Sequence, residues 1–207
     1  MFLGPPGAGK GTQAVRLARD RHLAHLSTGD LLRAAVAEGT PLGRAADAHI
    51  QAGRLVPDDL VLEALRERIG RSDARAGFVL DGFPRTLAQA RALDAMAELD
   101  AVVSFELPEP VLLERLAGRR ICPKCGAVYH VSASPPREPG RCDRDGVELR
   151  QRPDDRPEAV SVRLRVHAEQ TEPVLAYYRE RGLLRPLAAS GSTDEVARRL
   201  NALLEGE

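Results

Sequence analysis

Apolar positions along the chain fall into short runs separated by longer stretches with a helical period. The runs are 2–3, 23–27, 78–81, 102–107 and 183–187. Helix-like stretches occupy about 10–22, 30–37, 42–52, 58–70, 86–97, 109–119, 157–181 and 193–204. This alternation predicts an α/β fold with a parallel sheet wrapped by helices on both faces. Right-handed crossovers then put the C-terminal ends of the strands, and the ligand crevice, along one edge. The first run is short beside a usual strand of about 5–6 residues, so the strand before Gly4 is either abbreviated or begins upstream.

Residues 121–153 interrupt the rhythm. They hold all three cysteines, together with Pro135-Pro136, Pro139-Gly140 and Gly146, and have no long helical period. A small insertion with its own support is expected. Cys122-Pro123-Lys124-Cys125 forms a two-residue knuckle, and Cys142-Asp143-Arg144-Asp145 repeats its spacing after sixteen intervening residues. Paired knuckles of this kind hold structural zinc, which accepts three thiolates and a carboxylate in a tetrahedron. Asp145 keeps the knuckle spacing and is the expected fourth ligand; His130 and Asp143 are the alternatives. Four protein ligands leave zinc no open position, so its expected task is to hold the insertion together. Three clustered cysteines argue against a disulfide framework and for a reducing, cytoplasmic setting.

Charge changes the picture little at large scale. Acidic and basic side chains balance at 30 each and aromatics are 3% of residues. A nucleic-acid partner would call for a basic stripe with stacking aromatics, so a zinc-knuckle nucleic-acid-binding ATPase is the distant alternative. No segment has the length of a membrane span, and no signal-peptide pattern opens the chain. Lys10 and Lys124 are the only lysines, so phosphate recognition must rest mainly on arginine, whose planar fork suits it.

The chemistry is local. Gly4-Pro5-Pro6-Gly7-Ala8-Gly9-Lys10-Gly11-Thr12 follows a strand and opens a helix. Such a loop curls its N–H groups around a phosphate at the positive end of the helix, and Lys10 reaches the outer phosphates. Gly11 stands where the general pattern has Ser or Thr to ligate magnesium, which shifts the metal towards water and carboxylates. Phe78-Val79-Leu80-Asp81 is a strand ending in an acid, followed at once by Gly82-Phe83-Pro84-Arg85. Ser27-Thr28-Gly29-Asp30 ends another strand and leads into a helix carrying Arg33, with Thr28 also placed to cap that helix. Arg115 and Arg119 share a helix face, Arg152 precedes Asp154-Asp155, and Arg163 lies on the next helix.

The loop 4–13, the segment Leu26-Ser27-Thr28-Gly29-Asp30-Leu31-Leu32-Arg33 and the segment Leu80-Asp81-Gly82-Phe83-Pro84-Arg85-Thr86 together resemble adenylate kinase. The likeness runs from Gly4 to the C-terminus. It implies a three-layer core with a five-stranded parallel sheet (1–26, 57–117 and 156–207), a helical nucleoside-monophosphate-binding domain (27–56) and a zinc-bearing lid (118–155). It also implies a monomer that transfers phosphoryl reversibly between MgATP and AMP, giving two ADP. By resemblance, ATP lies on Gly7, Ala8, Gly9, Lys10, Gly11, Thr12, Arg115, Arg119, Val128, Tyr129 and Gly191. AMP would lie on Thr28, Arg33, Arg54, Leu55, Val56, Gly82, Phe83, Pro84, Arg85, Gln89, Arg152 and Arg163. The charge-stabilising set would be Lys10, Arg85, Arg119, Arg152 and Arg163, with Asp81, and secondarily Asp30, in the magnesium shell. Thr28 with Gln89 points to adenine; UMP, CMP or GMP as acceptor is the alternative. Nothing suggests a covalent nucleophile, since no Ser–His or Cys–His arrangement stands out and phosphoryl transfer rests on positioning and charge neutralisation.

Overall fold

The computed structural model describes residues 1–206. Five strands, β1 (Phe2–Leu3), β2 (Ala24–Ser27), β3 (Phe78–Asp81), β4 (Val102–Glu106) and β7 (Leu184–Ala188), form one sheet in the order β2-β3-β1-β4-β7. Every pairing in it is parallel. A second, two-stranded antiparallel sheet joins β5 (Arg119–Ile121) to β6 (Val128–His130).

The central strand of the sheet is β1. β1 has only two residues, yet it pairs with β3 on one side and β4 on the other. The Val103 N–H donates to the Met1 carbonyl at 2.8 Å, and the Met1 amine donates to the Ala101 carbonyl at 2.8 Å. Strand side chains alternate between faces, and the packing follows that period. Phe2, Val79 and Val103 face α1 (Lys10–Asp20) and α9 (Thr193–Glu205), packing with Leu17, Val196 and Leu200. Leu26 and Leu80 face the other way, against Leu65 of α4 (Asp58–Ile69) and Leu93 of α5 (Leu87–Asp94). Leu3 and Val102 continue that face against Val174 and Tyr178 of α8 (Glu172–Glu180). Three layers result, as the alternating pattern predicts.

Between β2 and α4 the chain makes α2 (Thr28–Ala37) and α3 (Pro41–Gln51). Ser27, not Thr28, caps α2: its side chain accepts from the Asp30 N–H, and Thr28 is the first helical residue. Thr40 caps α3, whose first residue is Pro41. The two helices cross at Gly43, where an added Cβ would lie 2.0 Å from the Ala35 carbonyl oxygen. α6 (Glu109–Gly118) ends where β5 begins, so Arg119 is a strand residue and not a helical one.

The stretch 157–181, which reads as one helix in sequence, is broken in the structure. α7 (Pro157–Val166) passes through a π-helical turn at His167–Thr171 before α8. Pro173 has no N–H to close an α-type bond to the residue four before it, and its ring crowds that carbonyl. Such turns are rare and concentrate at functional sites.

Gly43→Ala forces α2 and α3 apart. Overpacking of this kind costs about 1–3 kcal/mol, so the melting temperature is expected to fall by about 2–10 °C in a thermal denaturation scan. An unchanged melt would show that the crossing is not tightly packed.

Candidate active site

The loop after β1 approaches β4 so closely that Gly4 sits at φ +132, where an added Cβ would be 2.5 Å from the Phe105 carbonyl oxygen. Only glycine fits there. Lys10, at the start of α1, turns back over the loop and donates to the Gly4 carbonyl at 2.7 Å and the Pro5 carbonyl at 2.8 Å. Burial lowers its ammonium to about 8; Asp81 opposes the fall, while Arg85, Arg163 and Arg119 add to it. A Cβ at Gly11 would lie 3.1 Å from Asp81 Oδ2, so a larger residue there would require the carboxylate at the end of β3 to shift by a few tenths of an ångström. His25 Nε2 stands 3.8 Å from the same oxygen.

Arg85 leaves the turn after β3, which contains a cis peptide between Phe83 and Pro84. Its Nε donates to the Gly82 carbonyl at 2.8 Å, and that carbonyl also accepts from Thr28 Oγ1 at 3.3 Å. Burial, then the charges of Arg163 and Arg33, lowers the guanidinium to about 10, so it stays cationic at neutral pH. Gln89, 2% exposed on α5, accepts from the Arg85 N–H through Oε1 at 2.7 Å.

Around these two centres the arginines converge. Arg163 NH1 lies 3.2 Å from Asp154 Oδ2 and 2.9 Å from Asp155 Oδ1. Arg119 is bidentate to Asp155, with Nε 2.7 Å from Oδ2. Arg33 NH2 lies 2.6 Å from Asp30 Oδ1, and Arg152 NH2 lies 3.8 Å from the same atom. Burial pushes the Asp154 carboxyl up, but Arg163, Arg33, Arg119 and Arg152 outweigh it and hold it below the usual range. Burial of Arg152 lowers it to about 10, with Arg33 and Arg119 adding to the fall. In the sequence pattern Asp154 and Asp155 carry no role beyond following Arg152. Two consecutive carboxylates in so arginine-rich a segment were the available signal. The cations Lys10, Arg33, Arg85, Arg119, Arg152 and Arg163 outnumber the carboxylates Asp30, Asp81, Asp154 and Asp155, leaving positive charge for phosphate oxygens.

One cavity of about 1200 Å³ spans the loop, the arginine cluster and the β5–β6 region. It is larger than the usual single-ligand cleft of about 300–1000 Å³. All the residues named above for nucleotide contact line it, with the exception of Pro84. Pro84 lines a smaller cavity of about 80 Å³ beside Lys10, Arg85 and His167. His167, on the π-helical turn, is one that the sequence pattern did not single out. Burial first, then Lys10 and Arg85, lowers its imidazole to about 4.

The insertion carries the second constellation. Sγ of Cys122, Cys125 and Cys142 and a carboxylate oxygen of Asp145 all lie within 4.8 Å of one another. Cys125 Sγ is 3.6 Å from Cys142 Sγ, and Asp145 Oδ2 is 3.3 Å from Cys122 Sγ. A tetrahedron with bonds of about 2.3 Å has edges of about 3.7 Å, so the group fits a zinc ion. The two knuckles share a backbone pattern. Gly126 donates to the Cys122 carbonyl and Gly146 to the Cys142 carbonyl, while Cys122 and Cys142 donate to Ala127 and Val147. The alternative ligands are occupied elsewhere. His130 Nδ1 accepts from the Ser132 and Ala133 N–H groups and its Nε2 lies 3.3 Å from the Glu114 carbonyl, while Asp143 Oδ1 accepts from the Arg137 N–H.

A glycine-rich phosphate cradle and a buried arginine cluster facing one cavity define a P-loop phosphotransferase that works on two anionic ligands. Comparison with known proteins narrows the class. The family model "Adenylate kinase" matches residues 2–183. Among curated relatives, an adenylate kinase of Symbiobacterium thermophilum is 52% identical over 95% of this chain and 93% of its own length. Adenylate kinases of Archaeoglobus fulgidus and Bacillus subtilis are each 47% identical, covering 99% and 100% of this chain and 97% of their own. The chain belongs to the adenylate kinase family, and with it to the nucleoside monophosphate kinases. Among the described residues, no helix is long and apolar enough to cross a membrane.

A polyphosphate at the loop restores the charge that burial removes from Lys10. Above pH 8, binding of a non-hydrolysable nucleoside triphosphate is therefore expected to take up a proton. Calorimetry in buffers of different ionisation enthalpy reads this, and Lys10→Met should abolish it. Equal heats in all buffers at pH 9 for the unaltered protein would contradict the shift.

Proposed function

We propose that the chain catalyses reversible, magnesium-dependent phosphoryl transfer from ATP to AMP, giving two ADP. The observation that carries the reading is the single cavity in which the phosphate loop faces Arg85 and Gln89. ATP would occupy the loop side (Gly7 to Thr12), with its base and ribose towards Arg115, Arg119, Val128, Tyr129 and Gly191. AMP would occupy the side formed by Thr28, Arg33, Arg54, Leu55, Val56, Gly82, Phe83, Arg85 and Gln89. The amide of Gln89 offers both a donor and an acceptor, as an adenine edge requires.

Charge placement supplies the catalysis. Lys10 exchanges the Gly4 and Pro5 carbonyls for phosphate oxygens. Arg85 stands at the junction of the two ligands, and Arg119, Arg152 and Arg163 neutralise the oxygens of the group in transit. Magnesium bound with ATP would shield and polarise the outer phosphates. Asp81 fits its shell, since its carboxylate lies against Gly11 at the start of α1. Asp30, the secondary candidate, is engaged by Arg33 and Arg152 and is better suited to orienting them. Helices α2 and α3 in 27–56 would form the AMP-binding domain. Residues 118–155 would form a lid that excludes water on closing. Zinc held by Cys122, Cys125, Cys142 and Asp145 would stiffen that lid. Thiols kept free for a metal suit a reducing, cytoplasmic setting, and the chain would act as a monomer.

ADP formation from ATP should depend on AMP. Lys10→Met and Arg85→Ala are each expected to lower turnover by about 10²–10³ or more in a coupled assay. Near-normal rates in either purified variant would sink the assignment. Purified protein should carry one zinc per chain by metal analysis, lost in Asp145→Ala and kept in His130→Ala. The reverse pattern would move the fourth ligand to His130.

A further inference from the structure

Gln89 has two polar ends, and an amide can turn over to exchange them. In this chain the exchange is blocked from both sides. A carboxylate accepts and never donates, so the Gln89 atom 2.6 Å from Asp58 Oδ1 must be Nε2. A backbone N–H donates and never accepts, so the atom 2.7 Å from the Arg85 nitrogen must be Oε1. Asp58 is itself fixed. Thr86 Oγ1 donates to its second oxygen, Oδ2, at 2.8 Å and accepts from the Gln89 N–H at 3.1 Å. Three side chains and two backbone N–H groups thus close a network that leaves one Nε2 proton and one Oε1 lone pair of Gln89 unpaired. Gln89 lines the large cavity, where that remaining pair can meet a base.

We infer that Asp58 determines base specificity by locking the orientation of the Gln89 amide. The inference rests on the reading that Gln89 meets the base of the acceptor nucleotide. Adenine presents an N6 amino donor beside an N1 acceptor. The locked amide matches it, with Oε1 accepting from N6 and Nε2 donating to N1. Hypoxanthine presents the opposite order, an O6 acceptor beside an N1–H donor, and would need the amide turned over. Turning it would set the Gln89 oxygen against the Asp58 carboxylate and its NH2 against the Arg85 N–H. Asp58 is therefore a positioning residue that acts through Gln89, rejecting 6-oxopurines by holding a donor and an acceptor in fixed places. In sequence it reads only as an acid in the first turn of a helix, a place it shares with Asp59.

The test compares AMP with IMP as acceptor in purified protein, with ATP as donor, in four forms of the full chain. The unaltered enzyme should prefer AMP strongly in kcat/KM; equal use of both would overturn the acceptor-base reading itself. Asp58→Asn keeps the shape but can face Gln89 with either end of its own amide. Its AMP-over-IMP preference should fall about tenfold, the size expected when one hydrogen bond to a charged group is lost. The loss should lie mainly in the KM for AMP, with the KM for ATP unchanged. Asp58→Ala, which introduces no new donor, should move the preference the same way. Asp59→Asn removes an equivalent helix-terminal charge without a contact to Gln89 and should leave the preference unaltered. The inference is overturned if both Asp58 variants, shown folded by their melting curves, keep the full preference, or if Asp59→Asn lowers it equally.

Discussion

The structure depends on holding many positive charges together in one buried space. Arg33, Arg85, Arg119, Arg152 and Arg163 surround a single cavity with Lys10, and without compensation their mutual repulsion would open it. Asp154 and Asp155 supply the compensation. They are 5% and 1% exposed, follow one another in sequence and reach arginines from α2, β5 and α7. An isolated buried carboxylate would be costly, as would an isolated buried arginine. Each stabilises the other, and the cluster stays positive enough to attract phosphate.

This balance ties recognition to rearrangement. A phosphate arriving in the cavity competes with carboxylates for the same guanidinium groups, just as it competes with the Gly4 and Pro5 carbonyls for Lys10. In the proposed reaction the ligand would replace existing hydrogen bonds and would not meet bare charges. Preorganisation of this sort lowers the reorganisation required when charge moves in the transition state.

Much of this architecture was legible along the chain. Five apolar runs became the five strands, and the glycine loop, Asp81 and Arg85 lie at strand ends, where a parallel sheet puts its crevice. The knuckle spacing singled out Asp145 because it encodes a local backbone turn that Gly126 and Gly146 both complete. What stayed hidden depends on contacts distant in sequence. β1 takes its place at the centre of the sheet through pairing with β3 and β4, both far along the chain. Gly11 reads as a missing magnesium ligand, and its nearest neighbour there is Asp81, seventy positions away. The π-helical turn carrying His167 leaves the apolar period almost intact, so periodicity reads straight through it. Asp58 gave no signal at all, because its meaning lies in which atom of Gln89 it faces.

The insertion extends the same interactions beyond the cavity. Its two chain ends meet at its base, where Arg119 is bidentate to Asp155 and Ile121 exchanges backbone hydrogen bonds with Arg150, both at 2.8 Å. Farther out, the cysteine–aspartate cluster ties the knuckles together, and the Tyr129 hydroxyl lies 3.5 Å from Cys142 Sγ while accepting from the Asp143 N–H. If the insertion closes as the proposed lid, ties at both ends of its length would make it move as a body, pivoting at its base. That base is also where Arg119 and Arg163 share Asp155, so a phosphate that drew these arginines inward would act on the pivot directly. In the proposed mechanism, binding and closure would then be coupled through one exchange of partners around Asp155.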